Sequence, residues 1–320
     1  ALILFMGYAA FRLSRPGIQE ELRTSLSVSE VMGTSSTTGY ARALEPRPFE
    51  FPRDHGPHPE YRTEWWYITG SLENPAGDPF GFQFTIFRSA LNPAPPDSPS
   101  PWATNQVFMG HLAVTDGEGG TFRAFERFSR GAQGLAGAQA DPFRVWLEDW
   151  VLEGPVVPTA EPGQGGFAGD GICPLRLSAA GDDRGISLLL SPDKALVLQG
   201  DAGLSQKGRE PGNASFYYSF TRLAASGHVV IGDREVPVEG SAWFDREWST
   251  SALSEDQVGW DWFALQLSDG LDLMYYQLRL RDGSADPLSK GILVDGVGEA
   301  RGLTSAQVEL TVVDEWQSPA

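Results

Sequence analysis

Short stretches of alternating apolar and polar residues, separated by turn-forming residues, constrain the fold of this chain most strongly. Between Phe80 and Arg88, the apolar side chains at positions 80, 82, 84 and 86 would lie on one face of an extended strand. Residues 65–72 are predicted to pair with this strand, because Asn, Pro, Gly and Asp lie between the two segments. Residues 259–267 and 271–280 predict a second hairpin across an Asp-Gly turn. The pattern predicts antiparallel β-sheets.

The composition agrees with an all-β fold rich in turns. The 320 residues include 37 Gly and 23 Pro, and the apolar runs are short, without helical heptads. The strands predicted before Glu239 are enough for one barrel of about eight strands, the size of a lipocalin. The rest of the chain, with a last strand expected at residues 306–315, would form a second sheet.

The N-terminal region predicts a location outside the cytoplasm. Residues 1–13 form an apolar run interrupted by Arg12, shorter than the roughly 20 residues needed to cross a bilayer. We expect it to be the remnant of a signal peptide or membrane anchor, followed by a polar linker at residues 14–47. The folded part would then be exported, periplasmic or membrane-anchored. The alternative is a disordered N-terminal tail on a cytoplasmic protein.

Charge and residue counts argue against several classes of partner and site. The net charge of −18 argues against nucleic acid and against anionic lipid surfaces as partners. The one cysteine, Cys173, excludes an intramolecular disulfide and any zinc site with two thiolates. The four His are scattered, and there is no glycine-rich phosphate loop. We therefore expect no metal and no cofactor.

Two segments place tryptophans beside carboxylates. The first is Glu64-Trp65-Trp66-Tyr67, and the second runs from Trp243 to Trp262; together they hold six of the ten Trp. An exposed aromatic surface and a buried unpaired carboxylate are both unfavourable. These segments therefore form either a tightly hydrogen-bonded core or the site of a large apolar ligand.

A carboxylic acid among aromatic rings could perform acid chemistry on an alkene. An apolar pocket raises a carboxyl pKa, and aromatic faces stabilise a carbocation. We predict Asp245 as the general acid, because an extended strand would place it on one face with Trp243 and Glu247. Asp261 and Glu64 are the next candidates. The predicted ligand-binding side chains are Trp65, Trp66, Trp243, Trp248, Trp260, Trp262 and Tyr276.

Each candidate also has a purely structural interpretation. Glu64 could be bonded to an Arg or to backbone amides at the floor of a barrel, since buried charges are usually paired. Asp245 and Glu247 could form a salt network with Arg246 between domains. The aromatic residues on either side of Asp261 could be the ordinary pattern of a strand packed on one side.

The order of the Trp-containing motifs resembles the carotenoid 1,2-hydratase (CrtC) and AttH family. The motifs are Glu64-Trp65-Trp66-Tyr67-Ile68-Thr69-Gly70, Gly81–Arg88, Trp102–Gln106, His111–Asp116, Phe216-Tyr217-Tyr218-Ser219, Gly240–Trp248 and Gly259–Leu267. The resemblance implies two tandem lipocalin-like barrels, here an N-terminal domain at 48–239 and a C-terminal domain at 240–320. Because family members usually continue well past the position of Trp316, we expect the second barrel to be incomplete.

The resemblance implies two kinds of activity. Some members are hydratases that add water to a terminal carotenoid double bond, and AttH-like members are secreted proteins often associated with ABC transport systems. Fungal pericyclases share a similar double-barrel fold, so the fold does not decide the function. Arg246 stands where many relatives have a His, which argues against transferring the hydratase activity.

Three hypotheses follow from the sequence. The first is an exported carrier of an apolar isoprenoid or lipid-like molecule, with ABC transporter components as partners. The second is a hydro-lyase that acts on an isoprenoid chain, with Asp245 or Asp261 as the acid. The third is a structural protein whose barrel is filled by its own side chains.

Overall fold

The computed structural model of the protein describes residues 37–155, 171–250 and 253–317. The predicted anchor remnant at residues 1–13 and residues 14–36 of the predicted linker lie outside these ranges. Within the described ranges, no helix has both the length and the apolar character that crossing a membrane requires.

Among the described residues, thirteen strands form one large antiparallel sheet that closes almost completely on itself like a barrel. Along the sheet the order is β4-β3-β2-β1-β13-β12-β9-β8-β7-β6-β5, and the short β10 and β11 pair with β12. The strands are β1 (Thr63–Glu73), β2 (Pro79–Ala90), β3 (Gln106–Asp116), β4 (Thr121–Arg130), β5 (Ala136–Ala140), β6 (Phe143–Leu147), β7 (Trp150–Gly154), β8 (Leu175–Ala180), β9 (Arg184–Pro192), β10 (Val197–Leu198), β11 (Leu204–Gln206), β12 (Ala214–Ile231) and β13 (Arg234–Ser249).

Side chains fill the interior of the large sheet. Phe84 and Ile86 on β2 are fully buried, as the alternation predicts, and they belong to a continuous apolar core with Trp66, Trp150 and Trp248. Buried side chains of this size leave few voids in a protein interior. The large sheet therefore has a packed core.

The segment before β1 packs against this core. Tyr40 Oη donates to the Ala90 carbonyl at 2.8 Å, and Ala43 is fully buried. The 3-10 helix Arg53–His55 follows. The last residues of the predicted linker are thus part of the packed structure.

Between residues 253 and 317, four strands form a second antiparallel sheet in the order β14-β15-β16-β17. They are β14 (Gln257–Gln266), β15 (Asp272–Leu280), β16 (Lys290–Val294) and β17 (Ala300–Thr304). The predicted Asp-Gly hairpin is confirmed as β14 and β15, and the all-β fold class is confirmed with it.

The strand predicted at residues 306–315 is wrong. The last strand, β17, ends at Thr304, and the 3-10 helix Ser305–Gln307 follows it. Residues 308–317 form no ladder, and Val313 is 92% exposed. Alternating apolar residues favour a strand only where a partner strand and a covering layer are present.

The strand β13 has both faces covered over its second half. Phe244, Arg246 and Trp248 point into the large barrel-like sheet, whereas Trp243, Asp245 and Glu247 lie on its outer face. All six side chains are buried. The domain boundary expected between residues 239 and 240 falls inside β13, and the change of sheet comes between Ser249 and Gln257.

Candidate functional site

Asp245 is a buried carboxyl between the two sheets, surrounded by neutral hydrogen-bond donors. Ser219 Oγ on the neighbouring strand β12 donates to Oδ1 at 2.5 Å, and Trp243 Nε1 donates to the same oxygen at 2.8 Å. Tyr217 also hydrogen-bonds to this carboxyl. Burial raises the pKa of Asp245 to about 7, although these three hydrogen bonds oppose the shift. A substantial fraction of Asp245 is therefore protonated at neutral pH.

Aromatic side chains from both sheets surround this carboxyl. The ring centroids of Tyr67 on β1 and Trp262 on β14 lie 5.3 Å apart with an edge-on geometry. Trp243 and Tyr276 are buried in the same apolar cluster, against which Trp262 packs. Tyr67 and Trp262 are only half-buried, so an aromatic surface reaches from solvent towards Asp245.

A second carboxylate, Glu247, lies two residues further along the same face of β13. It accepts a hydrogen bond from Ser215 Oγ, and Lys207 Nζ lies 3.3 Å from Oε1. Burial would lower the pKa of Lys207, but Glu247 and Tyr276 keep it raised. Glu247 is thus matched by a cation, whereas Asp245 has neutral partners.

Glu64 lies on the other side of the sheet in a cage of cations. Arg88 Nε and Arg246 Nη2 each contact one carboxylate oxygen, and the His58 backbone N–H lies 3.1 Å from both oxygens. Burial alone would raise the pKa of Glu64, but Arg88 and Arg246 hold it well below its usual range. Glu64 is therefore an ionised structural group, as its structural interpretation predicted, and cannot supply a proton near neutral pH.

Arg246 belongs to this cage and not to a network with Asp245. Its Nη2 donates to the Gly56 carbonyl at 2.6 Å, and its guanidinium lies 4.1 Å from the Trp66 ring and 4.9 Å from the Trp248 ring. The salt network predicted between Arg246 and Asp245 is wrong because neighbouring residues of a strand point to opposite faces. Trp66 and Trp248 line the filled interior, away from the surface around Asp245.

Asp261 and Trp65 lie outside the group around Asp245. Asp261 is on the outer face of the second sheet, half exposed, with Arg279 Nε 3.6 Å away. Trp65 lies opposite Glu247 on the outer face of β1, where its ring packs against Phe87 at 6.1 Å. Of the predicted site residues, the structure brings together Asp245, Trp243, Trp260, Trp262 and Tyr276.

Four neighbours of this site are not among the site residues predicted from the sequence. Tyr217 and Ser219 approach Asp245 from β12, Tyr67 covers it from β1, and Lys207 precedes a loop that returns to β12. The alternation in Phe216-Tyr217-Tyr218-Ser219 indicated that Tyr217 and Ser219 share a face. It could not show that this face is opposite Asp245.

Across residues 37–155, 171–250 and 253–317, no group of three or more His, Cys, Asp or Glu side chains is arranged to hold a metal ion. The site around Asp245 is instead built from one carboxyl, hydroxyl groups and aromatic rings. Such a set can bind an apolar molecule and exchange one proton with it.

Comparisons with known proteins place the chain in a family. A model of the AttH-like family matches residues 42–320. The crystal structure of a Nitrosomonas europaea protein described as an AttH is 34% identical, with a TM-score of 0.73, covering 87% of this chain and 79% of that one. Kievitone hydratase from Nectria haematococca has the same fold at 12% identity, with a TM-score of 0.55, covering 83% of this chain and 72% of that one. A comparison with curated proteins found no match. The chain therefore belongs to the AttH-like family, and its fold is lipocalin-like.

Proposed function

We propose that this protein binds an apolar, isoprenoid or lipid-like small molecule on the aromatic surface between the two sheets, beside Asp245. One observation carries the proposal: the half-buried rings of Tyr67 and Trp262 meet edge-on above a buried carboxyl whose partners are neutral. Apolar sites with a few polar groups are typical of small-molecule binding.

The packed interior of the large sheet favours this surface over a lipocalin-type cavity. Trp66, Phe84, Phe220 and Trp248 fill that interior and have essentially no exposed area. A ligand would have to displace such side chains, and removing a buried aromatic from a core costs about 3–5 kcal/mol. Binding on the exposed parts of the Tyr67 and Trp262 rings leaves this core intact.

A fluorescence titration tests the binding. The protein is titrated with acyclic isoprenoids and fatty acids while its intrinsic tryptophan emission is followed. We expect saturable quenching by at least one ligand, with an affinity weakened about fivefold or more in Trp262→Ala, because a stacked aromatic contributes about 1 kcal/mol beyond its buried area.

A matched control distinguishes a loss of affinity at the site from the loss of one tryptophan's fluorescence. Trp102 is 51% exposed in the segment between β2 and β3, and Trp102→Ala should leave the affinity unchanged. Equal affinities in both variants would place binding elsewhere, and no saturable change with any ligand would contradict the proposal.

A second candidate function is hydration of an isoprenoid double bond, favoured by the raised pKa of Asp245. The protonated carboxyl would give its proton to one alkene carbon, leaving a tertiary carbocation on the other. The rings of Tyr67, Trp243 and Trp262 would stabilise that cation. A water molecule would then add to the cation and return one proton to the Asp245 carboxylate, so the net change is the addition of water.

Product analysis on the titrated samples tests the chemistry. A hydroxylated product should form with the wild-type protein and be lost in Asp245→Asn, which cannot donate a carboxyl proton. Asp261→Asn is the control and should keep full activity, because Asp261 lies on the other face of its sheet. Saturable binding without product would support a carrier alone.

Export and association with ABC transporter components are part of the carrier proposal and rest on the N-terminal sequence and the family resemblance. Fractionation of the native host tests the location. Recovery of the protein in the periplasmic or membrane fraction would support export, and recovery in the cytoplasmic fraction would contradict it.

A further inference from the structure

Lysine is rare in this chain, and two of its three lysines lie next to Tyr276 at the contact between the sheets. The three are Lys194, Lys207 and Lys290, in a protein with a net charge of −18. Lys194 has a structural role, because its ammonium lies 2.8 Å from the buried carboxylate of Asp272. The other two are on either side of Tyr276.

Lys207 approaches Tyr276 from the first sheet. Its ammonium lies 4.0 Å from the centre of the Tyr276 ring and 5.4 Å from that of Tyr217. Tyr276 Oη lies 3.1 Å from Ser205 Oγ and donates to the Gln206 carbonyl at 3.2 Å. Lysine, tyrosine and serine side chains therefore converge at the contact between the sheets.

Lys290 approaches from the second sheet. It lies directly opposite Tyr276 in the β15–β16 ladder, so both side chains are on the face that meets the first sheet. Its ammonium makes no ion pair or hydrogen bond with any residue that the structure describes. Burial lowers the pKa of Lys290, and the charge of Lys207 lowers it further, although Asp201 opposes this. Two like charges in a half-buried place repel each other unless an anion lies between them.

We propose that Lys290, next to Lys207, binds the acid group of the ligand, so that the molecule held between the sheets is an amphipathic carboxylate and not a neutral hydrocarbon. This inference rests on the proposed function. Trp262, Tyr276 and Lys290 face each other in register across three neighbouring strands. Adjacent strands are about 4.8 Å apart, so Lys290 and Trp262 lie about 10 Å apart across Tyr276. Because Tyr276 is only 3% exposed, an apolar chain that runs from Lys290 to Trp262 has to open the contact between the sheets at this ring.

The charge balance supports an anion at this position. Glu247 offsets one of the two ammonium groups, at 3.3 Å from Lys207, whereas Lys290 has no ion-pair partner among the residues that the structure describes. An acid group would form charge-assisted hydrogen bonds with that ammonium. The acidic surface of the protein repels anions generally, so a local cation is needed to hold one.

A matched pair of ligands tests the inference. A long-chain isoprenoid acid and its methyl ester are compared in tryptophan quenching titrations. We expect the wild-type protein to bind the acid at least about tenfold more tightly, the smallest effect of a hydrogen bond to a charged group. Lys290→Met should reduce the affinity for the acid to that of the ester and leave the ester unchanged, whereas Lys290→Arg should keep the preference.

Arg279→Met is the control for charge alone, because it removes one positive charge from the opposite face of the same sheet. It should keep the preference for the acid. Equal binding of acid and ester by the wild-type protein would overturn the acid subsite and leave the proposed function standing. Binding of neither the acid nor the ester would overturn both the acid subsite and the proposed function.

A titration with inorganic phosphate, compared with chloride at equal ionic strength, tests whether the site binds a free anion. Phosphate that binds alone and is lost in Lys290→Met would show a site for free anions and overturn the amphipathic ligand.

Discussion

Glu64 and Asp245 are both buried, on neighbouring strands, and differ in the groups that surround them. Glu64 faces the interior of the large sheet, where Arg88 and Arg246 keep it ionised. Asp245 faces the second sheet, where Ser219 and Trp243 donate neutral hydrogen bonds and burial raises its pKa to about 7. The partners of a buried carboxyl, and not its burial alone, decide whether it can act as an acid.

The two faces also differ in how they are packed. The inner face is covered by fully buried aromatic side chains, whereas Tyr67 and Trp262 on the outer side keep part of their surface exposed. One face is therefore packed throughout, and the other keeps the exposed aromatic surface that the proposed ligand would contact. The following predictions test this contrast.

The largest effect is expected from Arg246→Met. The change leaves the Glu64 carboxylate buried with Arg88 as its remaining guanidinium, and it removes the hydrogen bond to Gly56 and the contact with Trp66. Breaking a buried ion pair costs about 3–5 kcal/mol, and we expect the upper end of this range in urea unfolding. Arg176→Met, which affects an exposed pair with Glu153, should cost less than about 1 kcal/mol. Similar losses of unfolding free energy in both variants would contradict the role of Arg246 in the cage around Glu64.

Asp245 and Glu64 should affect the pH dependence of stability in opposite directions, because the pKa of Asp245 is raised and that of Glu64 is lowered in the folded protein. The pKa of Asp245 is about 7 in the folded protein and near 3.8 in the unfolded chain, so between these pH values the folded state binds more protons. The contribution of Asp245 to stability is present at low pH and falls by about 3 kcal/mol as pH rises from 4 to 7. Subtracting the unfolding free energies of Asp245→Asn from those of the wild type isolates this term. A flat difference would contradict the raised pKa.

Ser219→Ala removes one hydrogen-bond donor to Asp245 and should increase the difference between the pKa values of Asp245 and Glu64. Ser219 Oγ donates to the ionised form of Asp245 at 2.5 Å, so its loss should raise the pKa of that carboxyl further. A hydrogen bond to a charged group contributes about 1.5–3 kcal/mol, which corresponds to a rise of about one to two pKa units. Infrared titration of the carboxyl measures the midpoint. A lower midpoint than in the wild type would show that Ser219 does not act on the carboxylate.

The smallest effect is expected from Asp261→Asn. Asp261 and Arg279 form an exposed pair 3.6 Å apart, and such pairs contribute about 1 kcal/mol or less. Stability, ligand affinity and any product formation should stay close to wild type. A large loss of affinity would mean that the ligand contacts the outer face of the second sheet.

The sequence predicted the strands well because alternation and turn residues act locally. The hairpin at β14 and β15 and the apolar face of β2 follow directly from the pattern. The last predicted strand was wrong because its pattern alone cannot supply a partner. The sequence prediction placed a domain boundary between residues 239 and 240, inside β13, because no local signal shows that this strand continues across that position.

The site was predictable in part. The choice of Asp245 came from its position beside Trp243 on one strand face, and the structure places both at the contact between the sheets. Glu64 and Asp261 have the same local pattern of a carboxylate beside Trp, but their partners are distant in sequence or on another face. The role proposed for Lys290 depends on the pairing of β15 with β16 and on Lys207, which lies 83 residues earlier in the chain. Long-range contacts of this kind leave no local signal.

The protonation state of Asp245 tests the central claim most directly. Infrared spectra of the wild-type protein with labelled aspartate, minus those of Asp245→Asn, isolate its carboxyl band across a pH titration. We expect the Asp245 carboxyl to be protonated at pH 5 and to titrate with a midpoint near 7. A midpoint near 4, the ordinary value for aspartate, would show that burial on the outer face does not raise the pKa of Asp245 and would contradict its assignment as the acid.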